Sequence, residues 1–130
     1  MIETTERFLR EIGERIGARS VEEVHLFPPI RQGGIESGVA VVAANAPYQD
    51  RHTVYSAHYR HTLKGADRGK WEVAVTAEAD APLLTIDAVV RGVMKRAGEQ
   101  FEPERLSASE FRTIVGVTAE KEKQLPSSGE

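Results

Sequence analysis

Residues 51–80, RHTVYSAHYRHTLKGADRGKWEVAVTAEAD, carry the clearest structural pattern in the chain. Arg51 to Lys64 and Lys70 to Asp80 both alternate between apolar and polar residues, and Gly65-Ala66-Asp67-Arg68-Gly69 separates them. Alternation with period two is the pattern of strands buried on one side, and a glycine-bounded break between two such runs is a hairpin. Closing the turn sets Leu63 opposite Trp71, His61 opposite Val73, Tyr59 opposite Val75 and Ala57 opposite Ala77, all on one face. The opposite face then carries His58, Arg60, Thr62, Lys64, Glu72, Thr76 and Glu78, with Arg60 diagonal to Glu72. One register that sorts both strands at once predicts a hairpin with a buried side.

On the N-terminal side, Val21 to Ile30 and Gly38 to Ala44 read as two further strands, joined by a turn around Gln32-Gly33-Gly34. Pro28-Pro29 removes two ladder donors and puts that end on a sheet edge or in a bulge. Ser20 and Glu23 have capping-box spacing, so a helical turn can precede the first strand. Earlier still, Phe8, Leu9, Ile12 and Ile16 form one stripe of a helix over residues 5–17. Thr4 or Thr5 can cap its start, Gly17 suits its end, and Glu6–Arg10 and Glu11–Arg15 are spaced i,i+4.

On the C-terminal side, Ile86, Val89, Val90, Val93, Met94 and Ala97 make an apolar stripe on a helix running from a Thr85 cap to about Gly98. Residues 107–118 fit either a helix, with Ser107 and Glu110 as a capping box and Phe111, Ile114, Val115 and Thr118 on one side, or a strand in which Phe111, Thr113, Val115 and Val117 alternate; Gly116 weakens both, and a short helix is the preferred reading. Glu120 to Glu130 is polar. The expectation is one α+β domain over residues 1–118 and a disordered polar tail over 119–130. The domain holds a four-stranded antiparallel sheet of two hairpins, with an N-terminal and a C-terminal helix packed on one face.

Composition bounds the function. The chain has 130 residues, 40% hydrophobic and 28% charged, as expected of one globular domain. The absence of cysteine excludes disulfides, thiolate metal sites and a Cys nucleophile. No apolar run approaches the roughly 20 residues that span a bilayer. The acidic, polar opening is unlike a secretory signal, so a cytoplasmic location is expected. Arginine exceeds lysine 12 to 5 and asparagine occurs once, a composition associated with GC-rich bacterial genomes.

Several chemistries fail on geometry. His52 and His58 share a strand face but stand about 20 Å apart, and His58 and His61 point to opposite faces. No metal bridges these pairs within a regular strand, and the expected reading is a loop His52, a surface His58 and a half-buried His61. Gly65 to Trp71 is one residue short of a P-loop and leads into a strand. Signatures for a serine nucleophile or a zinc protease are missing, and Glu72 and Glu78 lie too far apart for paired-carboxylate chemistry. No catalytic residue, metal or cofactor is assigned.

The net charge of −3 conceals a segregation. Residues 51–71 carry five Arg or Lys against Asp67, for +4, whereas residues 72–90 carry four acids and no base, for −4. The favoured reading is an intramolecular charge ladder within a non-catalytic protein–protein interaction or assembly module that pairs with itself as a homodimer. The strands are unusually rich in alanine, and an open edge or half-apolar face favours subunit pairing. The alternative is binding of nucleic acid or another anionic ligand through the basic hairpin. Arg51, His58, Arg60, Lys64, Arg68 and Lys70 are the candidate contacts for an anion or a partner. A histidine-dependent metal protein or enzyme is the third reading, and no membrane partner is expected.

Overall fold

A computed structural model describes residues 3–45, 52–81, 86–96 and 102–116. Helix α1 (Glu3–Ile16) leads through a 3-10 turn (Ala18–Ser20) into β1 (Val21–Leu26), β2 (Ile30–Gln32) and β3 (Ile35–Asn45). Strands β4 (His52–Thr62) and β5 (Trp71–Ala81) follow, then α2 (Ile86–Arg96), β6 (Glu104–Ser107) and α3 (Ala108–Val115). The class is α+β with an antiparallel sheet, as the alternation and helical stripes imply. The sheet has six strands in the order β5-β4-β3-β1-β6, with β2 also paired to β3.

Two strands exceed the expected four, and each has a physical cause. Strands β1 and β2 run along the same edge of β3, with Leu26 opposite Ala40 and Ile30 opposite Ser37. The chain between them holds Pro28-Pro29, so the expected first strand breaks into two and its pairing slips by one residue. Strand β6 pairs with β1 over Glu104–Ser107, and Leu106 is its single buried residue. One apolar residue in four gives no periodicity to read.

The helices also divide differently from expectation. Phe8, Leu9 and Ile12 of α1 and Phe111 and Val115 of α3 pack on Val24, Ala40, Val42, Ala57, Tyr59 and Leu106. A second core, on the other face, joins Val90 and Met94 of α2 to Phe27, Val41, Ala43 and Val54. Helices therefore cover both faces. The reason lies in β3, where Ala40 to Ala44 are all buried. A strand apolar on successive residues must be covered on both sides.

Strands β4 and β5 form the expected hairpin, in a register two residues away from the one the alternation suggested. His61 stands opposite Trp71, Tyr59 opposite Val73 and Ala57 opposite Val75, and Arg60 directly faces Glu72. Leu63 does not pair with Trp71, because its N–H donates to the Gly34 carbonyl of the neighbouring turn at 2.8 Å. A shift of two leaves the side chains from Trp71 to Ala77 on their faces, so the predicted sidedness survives there; beyond Ala77 a bulge at Glu78, where Tyr55 pairs with Ala77 but Val54 with Ala79, changes the alternation. His52 begins β4 rather than lying in a loop.

Residues 108–115 are helical. Ser107 Oγ accepts from Glu110 N–H at 3.1 Å, and the Glu110 carboxylate accepts from Ser107 N–H at 2.8 Å, the reciprocal capping box. Gly116 closes the helix in the left-handed conformation at φ 77°. The expected tail, 119–130, lies outside the described residues. Among the described residues no helix is long and apolar enough to cross a membrane.

Candidate interaction surface

The hairpin end of the sheet gathers most of the candidate contacts. His58 and Arg60 are exposed on β4, two residues apart on the face that α2 covers only near Val41, Ala43 and Val54. Lys64, Arg68 and Lys70 are exposed in the turn, and Lys64 lies against Gly34 of the adjacent turn. Arg51 is outside the described residues. The basic group is not uninterrupted, since Glu72 sits opposite Arg60 and 3.8 Å from Lys70 Nζ. Among the described residues, no three His, Asp or Glu side chains are grouped as a metal site requires.

The alternation set Tyr59 and His61 on the buried face, as found, but missed Glu36, which joins them on the α1 face beneath this end. Glu36 is 2% exposed, takes a 3.1 Å hydrogen bond from Arg31 Nε and stands opposite His61 across the β3–β4 ladder. Tyr59 lies beside it, and burial together with the Glu36 carboxylate pushes the phenol up to about 12. The phenol therefore stays protonated at neutral pH. Glu36 Oε1, the Tyr59 hydroxyl and His61 Nδ1 are enclosed without a well-directed hydrogen bond among the described residues. Tyr59 stacks on Trp71 at 4.9 Å, Arg7 lies 4.2 Å from the Trp71 ring centre, and Trp71 Nε1 donates to Glu11 at 2.5 Å. A cleft of about 450 Å³ opens over His61 and Trp71, walled by Glu3, Glu6, Arg7 and Arg10 of α1. The signal for Glu36 was available: it shares parity with Gly38, Ala40 and Val42, the buried face of β3.

His25, 6% exposed, was also unforeseen. Its Nε2 lies 2.6 Å from Glu23, which takes a second hydrogen bond from Arg105 of β6 at 2.8 Å. Burial pushes the Glu23 carboxyl up, but hydrogen bonds and charge from Arg105 and His25 outweigh it and hold the group below its ordinary value. This trio ties β6 to the sheet.

The last feature is the edge. Strand β5, 11 residues long, pairs only with β4 among the described residues. Thr62 N–H bonds to the Lys70 carbonyl at 2.9 Å, which fixes the alternation of the ladder. Backbone groups of Glu72, Ala74 and Thr76 face β4, and those of Trp71, Val73, Val75 and Ala77 face outward. Arg15 of α1 confirms the direction, donating to the Val73 carbonyl at 2.7 Å from outside the sheet. Val73, Val75 and Tyr55 are half-buried on the α1 face, forming an apolar strip beside that edge. Glu72, Thr76 and Glu78 are exposed on the other side.

Comparison with known proteins adds no family: no family model, no curated protein and no solved structure matches this chain. Fold and surface alone carry the functional argument.

Proposed function

We propose that this chain is a non-catalytic protein–protein interaction or assembly module that associates with itself. The observation that carries the reading is the edge strand β5. Its outward backbone groups, on four alternating residues from Trp71 to Ala77, belong to no strand pair among the described residues. Edge groups without a strand partner, of which the Val73 carbonyl also accepts from the Arg15 side chain, are, beside an apolar strip, the elements that β-strand addition uses: main-chain hydrogen bonds supply affinity and flanking side chains supply selectivity. Light scattering on the purified protein tests this directly. The expected mass is twice 14.3 kDa at micromolar concentration, and a monomer at every concentration overturns the reading.

A second reading rests on the shared exposure of His58, Arg60, Lys64, Arg68 and Lys70 at one end of the sheet. Those groups suit an anionic ligand such as nucleic acid. Such binding weakens steeply with salt because it releases counterions. A mobility shift at low salt that disappears when Arg60, Lys64, Arg68 and Lys70 are neutralised supports it; no shift at low salt removes it.

A further inference from the structure

Resting on the self-association reading, we propose that two copies pair β5 with β5, antiparallel, about a two-fold axis between their Ala74 residues, extending the sheet across the dimer. A two-fold operation sets an edge strand against itself and repeats each contact twice. The outward groups lie on residues 71, 73, 75 and 77, and the bulge at Glu78 ends the regular alternation there, so every permitted register matches odd residues with odd ones. Odd side chains then stay on the α1 face, and even ones on the open face.

Charge chooses among these registers. With Val75 on the axis, Glu72 falls opposite Glu78 of the second copy at two symmetric places, and like charges directly opposite are destabilising. With Val73 on the axis, the shared length shrinks to residues 71–75. With Ala74 on the axis, Glu72 meets Thr76 and residues 71–77 pair throughout, while Lys70, just before the strand, comes beside Glu78 at the bulge just past the ladder. Val73 then faces Val75 and Trp71 faces Ala77, giving up to about eight main-chain hydrogen bonds. The half-buried apolar strip meets its own copy. The Arg15 contact can persist, because the Val73 carbonyl has a second lone pair.

Ala74 suits the axis. A non-hydrogen-bonded antiparallel pair brings the two Cα atoms to about 4.5 Å, where small side chains fit without crowding. The same distance admits a disulfide, and the native chain is free of cysteine. Single cysteines at Ala74, Val75 and Thr76 in the full chain therefore read out the register.

The expected result under mild oxidation is that Ala74→Cys forms a covalent dimer at least about tenfold faster than Thr76→Cys, whose two copies stand about 13 Å apart along the strands. Val75→Cys linking faster than Ala74→Cys overturns the register. A dimer by light scattering in which none of the three links faster than a surface Glu22→Cys places the interface elsewhere; that overturns the pairing but leaves self-association standing. A monomer overturns both.

Charge variants test the same geometry independently of the cysteines. Lys70→Glu weakens dimerisation about tenfold by placing Glu beside Glu78, and adding Glu78→Lys restores it. An unchanged dimer constant for Lys70→Glu, or no restoration by the second change, overturns the register.

Discussion

Gly38 shows how much one residue decides here. A Cβ at that position would lie 2.3 Å from Tyr59 Cε2 and 2.9 Å from Cζ, so only glycine lets the phenol ring cross β3 and reach Glu36. Gly38→Ala is expected to cost at least about 1–3 kcal/mol, as overpacking does, read from the urea midpoint at unchanged slope. The buried phenol has its own signature. Its folded pKa is raised, so its contribution is complete below the ordinary value of 10.0 and is lost as pH rises toward about 12. Tyr59→Phe should flatten that alkaline limb; an unaltered limb assigns it to other groups. Glu23 runs the opposite way. Its folded pKa is lowered below 4.5, so its stabilisation is present above 4.5 and disappears as pH falls through the folded value. Replacing Arg105 with Met should weaken this acid limb in unfolding titrations between neutral and acid pH.

At the scale of elements, α3 is the clearest case of local chemistry setting a boundary. Its reciprocal Ser107 and Glu110 bonds satisfy two groups that a helix start otherwise leaves open. Ser107→Ala should cost about 1 kcal/mol. That helix was legible because a capping box depends on residues three apart. The β4–β5 hairpin was legible as to sidedness but not register. Leu63 looks like strand in the sequence, yet its N–H is committed to the Gly34 carbonyl, a partner 29 positions earlier. Alternation cannot distinguish registers two residues apart, since both bury the same set. Strand β6 shows the other limit. Glu104–Ser107 is a strand because β1 offers it an edge and Glu23 anchors Arg105, facts held by residues some 80 positions away.

For the whole molecule, the segregated charge takes on a spatial meaning. The basic residues His58, Arg60, Lys64, Arg68 and Lys70 collect at the hairpin end, and the acids Glu72 and Glu78 run along the edge strand beside them. In a dimer paired through β5, each basic end lies near the acidic stretch of the other copy. Association should therefore weaken with added salt, and the thermal midpoint should rise with protein concentration because the dimer is favoured by mass action. Scanning calorimetry over a hundredfold concentration range checks this; a midpoint independent of concentration contradicts a dimer coupled to folding.

Spacing along the chain was enough to read the α+β class, the two-sided character of the β4–β5 hairpin, the stripes of α1 and α2, the capping box at Ser107 and the basic cluster as a set of residues. Each rests on spacing within one segment, where backbone periodicity translates directly into a face. The assembled sheet shows that helices cover both faces, that β6 forms one edge and that β5 forms the other. It also brought Glu36 to Tyr59 and His61, and His25 against Glu23. These depend on which segments meet. Strand order is settled by competition among many apolar faces for cover, and no single stretch of the chain records its outcome.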